Sequence, residues 1–175
     1  MILRLKRTPG IYLVGFMGCG KTVVGTRLAQ RLGWTFCDID TDIVASQKVS
    51  IAEIFDKRGE EEFRCLETAA IQDRVRAIQF GSPLVVALGG GAFVQRRNYE
   101  ILENNGITIW LDCPLAMIRR RLSDCTDRPL ARDPHKFEIL YYARRDSYAL
   151  ADYHVEVSND EPADAVEAIL KLPLF

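Results

Sequence analysis

Residues 11–22 read IYLVGFMGCGKT, a short apolar run followed at once by a glycine-rich turn and the start of a helical pattern. From residue 15 to residue 22 the sequence matches G-x-x-x-x-G-K-[ST] at each fixed position. Glycines allow backbone N–H groups to turn inward around phosphate oxygens, and the following helix presents its partially positive end. The stretch therefore predicts a strand, a phosphate-binding loop and a helix.

The last two residues of this motif carry its chemistry. Lys21 can neutralise charge on the β- and γ-phosphates, and the Thr22 hydroxyl can ligate Mg²⁺. A turn that only connects strand to helix is the alternative, but the motif is complete and lies in the context that it requires. We therefore expect a nucleoside triphosphate to contact Gly18, Cys19, Gly20, Lys21, Thr22 and Val23.

Short apolar runs alternate with longer helical patterns along the chain, as in the βα units of a parallel sheet. The runs that predict strands cover residues 11–14, 34–39, 84–88, 107–111 and 153–157. The helical patterns begin at Lys21, after Ser50 and after Pro162, and cover residues 60–79, 96–104, 114–121 and 136–150. The sequence thus predicts one three-layer α/β domain over residues 1–175, with five strands and a polar loop at 123–135.

The composition excludes several classes of protein. The chain has 175 residues, 48 % of them apolar, with 23 basic and 24 acidic side chains and a formal net charge of −1. These values are typical of a globular domain, and they lack the basic excess of an electrostatic nucleic-acid binder. Five scattered cysteines and two histidines fit neither a disulfide framework nor a zinc site. The cysteine pattern predicts a reduced, cytoplasmic compartment. The apolar runs are too short for a membrane span, and we expect neither nucleic-acid nor membrane partners.

An acidic cluster, Asp40-Thr41-Asp42, follows the second predicted strand. The chain has no Asn-Lys-x-Asp motif of the GTPase type, and its third predicted strand ends in glycines rather than in an aspartate. Two carboxylates at i and i+2 can diverge at the end of a strand, one toward Mg²⁺ and the other toward an acceptor hydroxyl. A solvated turn is the alternative, but the neighbouring phosphate-binding loop favours a functional site.

Further motifs follow in order: Glu62-Phe63-Arg64, Gly89-Gly90-Gly91 and Arg128-Pro129-Leu130. Together with the phosphate-binding loop and Asp-Thr-Asp, this order resembles that of the shikimate kinases, from residue 12 to about residue 162. The resemblance implies a nucleoside-monophosphate-kinase-like P-loop fold, with a parallel sheet of order 2-3-1-4-5 and a short lid. It also implies transfer of the ATP γ-phosphoryl group to the 3-hydroxyl of shikimate, with Mg²⁺ as cofactor, in aromatic amino-acid biosynthesis.

The resemblance also implies roles for individual side chains. Asp42 resembles the aspartate that contacts the acceptor hydroxyl, and Asp40 resembles the residue that supports Mg²⁺ together with Thr22. Arg64 and Arg144 resemble two arginines that clamp the substrate carboxylate, where guanidinium forks give bidentate contacts. Glu67 follows Arg64 by one helical turn and is placed to hold it.

Two further parts of the site follow from the same resemblance. Gly89, Gly90 and Gly91 resemble the run that approaches the substrate ring, because a strand end without side chains lets backbone groups come close. Arg128, within the lid at 123–135, resembles the arginine that reaches over the phosphates of ATP. The residues expected to act in catalysis are Lys21, Asp42 and Arg128.

One segment departs from the family's pattern. After Asp42 the family usually has an Ile-Glu pair and a glycine before a Ser-Ile segment. Residues 43–50 are about two residues shorter and lack both features. They belong to the expected substrate-binding segment, residues 42–67.

The late arginine is ambiguous. Arg144 keeps the family's spacing to Tyr148, whereas Arg145 keeps its spacing to Ala151-Asp152. We prefer Arg144, and Arg145 remains the alternative. Two other functions stay open, a related small-molecule kinase of the gluconate type and a nucleotide-binding homologue without catalysis. The shikimate kinases usually act as monomers, and a monomer is expected here.

Overall fold

A computed structural model describes residues 10–123 and 133–174. The strands are β1 Gly10–Val14, β2 Thr35–Asp38, β3 Leu84–Ala87, β4 Ile107–Asp112 and β5 Tyr153–Glu156. The helices are α1 Lys21–Leu32, α2 Ile39–Gln47, α3 Ile51–Gln79, α4 Arg96–Glu103, α5 Leu115–Leu122, α6 Pro134–Tyr148 and α7 Pro162–Leu170. Within these two ranges, no helix is both long and apolar enough to cross a bilayer.

The five strands form one parallel sheet in the order β2-β3-β1-β4-β5. β1 lies at the centre, where Ile11 pairs with Val85 of β3 on one side and with Ile107 of β4 on the other. Every residue of β1 is buried, as expected of a strand that is covered on both faces. The order and direction of the strands confirm the fold predicted from the sequence.

Helices cover both faces of this sheet. Leu13 of β1 faces α1, since a Cβ added to Gly25 of that helix would lie 3.1 Å from it. The Tyr12 hydroxyl donates to the backbone oxygen of Asn105, whose side chain accepts a hydrogen bond from Gln79 of α3. Because successive side chains of a strand point to opposite faces, α1 and α3 lie on opposite sides of the sheet. This arrangement gives the three predicted layers.

Helix α3 consists of two segments. Ser50 caps its start, where the hydroxyl oxygen accepts a hydrogen bond from the Glu53 N–H at 3.2 Å. Gly59 has φ 83° and ψ 171°, which is not helical, so the two segments meet at this residue. Glycine suits the position because a positive φ is costly for other residues. The sequence predicts the same two segments as separate helices.

Helix α2 is absent from the predicted elements, which leave residues 38–42 at the end of a strand. Asp38 ends β2 and caps α2, since its Oδ1 accepts hydrogen bonds from the N–H groups of Asp40 and Thr41 at 3.0 and 3.3 Å. The helix ends at Lys48, whose φ of 57° lies in the left-handed region. The acidic stretch is therefore helical, so its side chains point in other directions than they would at the end of a strand.

Lys48, two residues before Ser50, adopts a conformation that glycine takes without strain. We expect Lys48→Gly to be more stable than Lys48→Ala by about 0.5–1 kcal/mol, because the left-handed strain that alanine keeps outweighs the destabilising freedom that glycine gains in the unfolded chain. Urea denaturation of the two variants measures the difference. Both substitutions remove the same charge, so the comparison isolates the backbone, and a more stable alanine variant would contradict the expectation.

Candidate active site

The phosphate-binding loop connects β1 to α1 at the carboxyl edge of the sheet. Gly18 and Gly20 have φ values of 79° and 99°, so the loop uses the backbone freedom that the motif supplies. Gly20 caps α1 and offers no side-chain acceptor, which leaves N–H groups of the first turn for a phosphate. Lys21 is buried, and its Nζ donates to the backbone oxygens of Gly15 and Phe16 at 2.8 and 2.9 Å. The cation thus lies inside the loop.

The other loop residues differ in exposure. The Cys19 side chain is buried, with 1 % exposed, so only the backbone of this residue is open to a ligand. Val23, on the first turn of α1, is 50 % exposed. Arg121 of α5 braces the loop from outside, since its Nη1 donates to the backbone oxygen of Gly18 at 3.2 Å and its Nε pairs with Asp160 at 2.8 Å.

Thr22 lies beside Asp38. The Thr22 hydroxyl donates to Asp38 Oδ2 at 2.7 Å, and hydroxyl and carboxylate oxygens are ligands that Mg²⁺ accepts. The sequence predicts Asp40 as the partner of Thr22 and misses Asp38. Two sequence features do point to Asp38. It has the same i, i+2 spacing to Asp40 as Asp40 has to Asp42, and it directly follows the apolar run.

Asp40 and Asp42 point away from each other on α2. Residues two positions apart on a helix are rotated by roughly 200°. Asp40 Oδ1 lies 2.9 Å from the position that a Cβ on Gly89 would take. Asp42 instead accepts a hydrogen bond from Nε of Arg74 in α3 at 2.7 Å. Asp42, the residue expected to contact the acceptor hydroxyl, therefore lies against α3, whereas Asp40 lies beside the glycines after β3.

The glycines at 89–91 are surrounded closely by the candidate site. A Cβ added to Gly89 would lie 2.8 Å from Glu67 Oε1, and one added to Gly90 would lie 3.2 Å from the backbone nitrogen of Met17. A Cβ added to Gly91 would lie 2.7 Å from Arg64 Nη2. Such distances are shorter than ordinary van der Waals contacts. In the turn after β3, Gly89 therefore lies against acidic side chains, Gly90 against the phosphate-binding loop and Gly91 against an arginine.

Arg64 is held from both sides by carboxylates of its own helix. Its Nη1 donates to Glu67 Oε2 at 2.8 Å, and its Nη2 donates to Glu60 Oε1 at 3.1 Å. Glu67 is fully buried, and within the described part of the chain its Oε1 has no hydrogen-bond partner. Burial raises the pKa of Glu67 above its ordinary value, and the positive charges of Arg64 and Arg144 act against that rise. The predicted contact between Glu67 and Arg64 is confirmed.

The raised pKa of Glu67 has a consequence for stability. A carboxyl group with a higher pKa in the folded state destabilises the fold once it ionises, from the unfolded-state pKa upward through the folded-state pKa. We expect Glu67→Gln to be more stable than the native protein at pH 7, and the difference to shrink toward about pH 3, where glutamate is largely protonated in both states. Urea denaturation at the two pH values measures this, with Glu60→Gln as the control for loss of an Arg64 partner. A difference that does not change with pH would contradict the expectation.

The structure separates the two candidate arginines of α6. Arg145 Nη1 and Nη2 each donate to one carboxylate oxygen of Asp112 at 2.6 Å. The Arg144 guanidinium lies 5.7 Å from the centroid of the Phe16 ring, and its Nη1 lies 3.7 Å from the position of a Cβ on Gly90. Arg144 therefore faces the loop and the glycine turn, whereas Arg145 is engaged by β4.

Arg128 and most of the predicted lid lie outside the described residues, which stop at residue 123 and resume at residue 133. The predicted role of Arg128 in ATP binding and catalysis therefore stays a prediction. On the far side of this segment, Asp133 caps α6 by accepting hydrogen bonds from the N–H groups of His135 and Lys136 at 3.1 and 3.2 Å.

Comparison with known proteins identifies the family of this chain. A family model described as shikimate kinase matches residues 17–172. The chain belongs to the shikimate kinase family. The shikimate kinase of Sulfurihydrogenibium sp. (strain YO3AOP1) is 38 % identical over 161 residues, which cover 91 % of this chain and 95 % of that protein. The shikimate kinase of Geobacter sulfurreducens is 40 % identical over 162 residues, with coverage of 91 % and 87 %.

A solved structure agrees with this membership. Shikimate kinase from Acinetobacter baumannii in complex with shikimate matches with a TM-score of 0.88 and 36 % identity, over 97 % of this chain and 94 % of that chain. The family and kinase assignments predicted from the sequence are confirmed. The shortfall of about two residues before Ser50 disappears when the family's spacing is counted from Asp40 instead of Asp42.

Proposed function

We propose that this member of the shikimate kinase family transfers the γ-phosphoryl group of ATP to the 3-hydroxyl of shikimate, giving shikimate 3-phosphate and ADP. The observation that carries the proposal is the surroundings of the glycine turn at 89–91, where Asp40, Arg64, Arg144 and the phosphate-binding loop meet. A carboxylate, a phosphate cradle and two guanidinium groups in one place suit an acceptor with both a hydroxyl and a carboxylate. The reaction belongs to aromatic amino-acid biosynthesis.

Lys21 and the first turn of α1 bind the phosphates of ATP. The Lys21 ammonium group lies inside the loop, where exchange of its two backbone acceptors for phosphate oxygens neutralises charge on the transferred group. Thr22 and Asp38, whose oxygens lie 2.7 Å apart, would hold Mg²⁺. When bound, Mg²⁺ neutralises charge on the phosphates.

Asp40 and the arginines act on the acceptor. The Asp40 carboxylate holds the acceptor hydroxyl in line with the γ-phosphate and takes its proton as the new P–O bond forms and the bond from the γ-phosphorus to the bridging oxygen of the leaving ADP breaks. Arg64 and Arg144 bind the acceptor carboxylate through their guanidinium groups, beside Gly91 and Gly90. Glu67 keeps Arg64 in the orientation that this contact needs. The monomeric state and cytoplasmic location stay predictions from the sequence.

The test is ADP release from Mg²⁺-ATP, measured with shikimate, with gluconate and with no acceptor. We expect turnover that depends on shikimate and a low rate in the other two reactions. Turnover with gluconate instead would identify a kinase of the gluconate type. ATP binding, measured by calorimetry, without turnover on either acceptor would identify a nucleotide-binding homologue without catalysis.

A further inference from the structure

An ion pair between Asp112 and Arg145 lies next to the proposed carboxylate site without belonging to it. Asp112 ends β4, and its two oxygens accept from both terminal nitrogens of Arg145 at 2.6 Å each. The two side chains are only 14 % and 33 % exposed. A two-bond contact of this kind fixes the orientation of the guanidinium as well as its distance.

Side chains from three elements surround this pair. The Arg145 guanidinium lies 4.9 Å from the centroid of the Trp110 ring, and its Nη1 donates to the Tyr141 hydroxyl at 2.7 Å. His154 Nε2 lies 3.1 Å from Asp112 Oδ2, and its ring stacks on Trp110 with centroids 4.5 Å apart. Contacts from β4, β5 and α6 therefore hold Arg145 in one orientation.

Arg144 precedes Arg145 on the same helix. Adjacent residues of a helix point about 100° apart, so tying Arg145 to the end of β4 sets the rotation of α6 and turns Arg144 toward the glycine turn. One turn later, the Tyr148 hydroxyl donates to the backbone oxygen of Gly90. Contacts of two residues that follow Arg144 thus fix the helix that carries it.

We propose that Asp112 and Arg145 form a clamp that positions Arg144 and thereby sets the affinity for the acceptor carboxylate, without contributing to ATP binding. The inference rests on the proposed function, in which Arg144 binds that carboxylate. Without the clamp, α6 can rotate. The Arg144 guanidinium then no longer meets the acceptor carboxylate in the productive geometry, and Arg64 alone binds it correctly. Small displacements of a positioning group are costly in such sites.

Asp112→Asn tests the clamp because it keeps the shape of the side chain and removes its charge. We expect the KM for shikimate to rise about tenfold, with less than about a twofold change in kcat and in the KM for ATP. Arg145→Met should raise the KM for shikimate by a similar factor, and Arg145→Lys, which keeps the charge, should show a smaller rise. Adding Asp112→Asn to Arg144→Met should cause no further loss of kcat/KM for shikimate, because the clamp acts through Arg144.

The matched control is Glu138→Gln, which removes another ion pair of α6, the one with Arg119 at 2.8 Å. It should leave both KM values unchanged. An unchanged KM for shikimate in Asp112→Asn overturns the clamp, and so does a rise in both KM values together with lower stability in urea. If the native protein shows no turnover that depends on shikimate, the proposed function fails and the clamp with it. If the native protein is active and the variants behave like it, the clamp alone fails.

Discussion

Asp40→Asn is expected to lower kcat for shikimate phosphorylation by about 10²–10⁴-fold, the usual contribution of a group that takes a proton in the transition state. Asparagine keeps the shape of the side chain but cannot accept the hydroxyl proton. Asp42→Asn is expected to keep kcat within about twofold of the native value, because Asp42 faces Arg74 and is not the group proposed to take the proton. ADP release at saturating Mg²⁺-ATP and shikimate measures both variants.

Two further measurements separate this result from damage to the fold. The KM for ATP should change little in either variant, since neither side chain belongs to the phosphate-binding loop or to the Thr22–Asp38 pair. Asp42→Asn should lower the free energy of unfolding by less than about 1 kcal/mol, the scale of a partly exposed ion pair. Loss of turnover in Asp42→Asn together with an active Asp40→Asn would return the acceptor contact to Asp42, the residue predicted from the sequence.

The fold could be predicted because its signals are local. The phosphate-binding motif lies between an apolar run and a helical pattern, and continuous apolar runs such as residues 84–88 indicate strands buried on both faces. Gly33 ends α1 in the left-handed conformation, as its place after a helical pattern suggests. Each of these features depends on a few neighbouring residues, so no tertiary information was needed.

Local spacing alone does not choose between the two acidic pairs, because aspartate occurs three times at the same spacing, at residues 38, 40 and 42. The correct choice depends on where β2 ends and α2 begins, and that boundary is set by the cap at Asp38. The family's pattern has a glycine before Ser50 that would have marked the alignment of this segment. Here Lys48 adopts the left-handed conformation that glycine usually takes, so that mark is missing.

The choice between the two late arginines likewise needed tertiary structure. Arg144 and Arg145 are adjacent on one helix, and spacing along the chain supports each of them. Asp112 decides between them, because it engages Arg145 from a strand more than 30 positions earlier in the sequence. A partner so distant in sequence leaves no trace in local patterns.

Gly91→Ala is expected to raise the KM for shikimate by about 10–100-fold and to leave the KM for ATP unchanged. The new methyl group would lie 2.7 Å from Nη2 and 2.9 Å from Nη1 of Arg64, closer than real side chains approach. Gly91 does not have a left-handed φ, so the backbone itself accepts alanine. The guanidinium must therefore turn away from the acceptor site. Steady-state kinetics with each substrate varied in turn measure the effect.

A double-substitution cycle tests whether the effect passes through Arg64. Arg64→Ala alone should lower kcat/KM for shikimate by about 10²-fold or more, the scale of losing one partner of a desolvated charge pair. Adding Gly91→Ala to Arg64→Ala should then cost little, because the side chain that the methyl group displaces is gone. Losses that simply add would mean that alanine distorts the turn itself, contrary to the expected mechanism.

Gly89→Ala provides the matched comparison on the same turn. Its methyl group would lie 2.9 Å from Asp40 Oδ1 and 2.8 Å from Glu67 Oε1, so it displaces both the residue proposed to take the proton and the carboxylate that holds Arg64. We expect this variant to lose kcat as well as affinity for shikimate, whereas Gly91→Ala loses affinity alone. An unchanged kcat in Gly89→Ala would contradict the proposed role of Asp40.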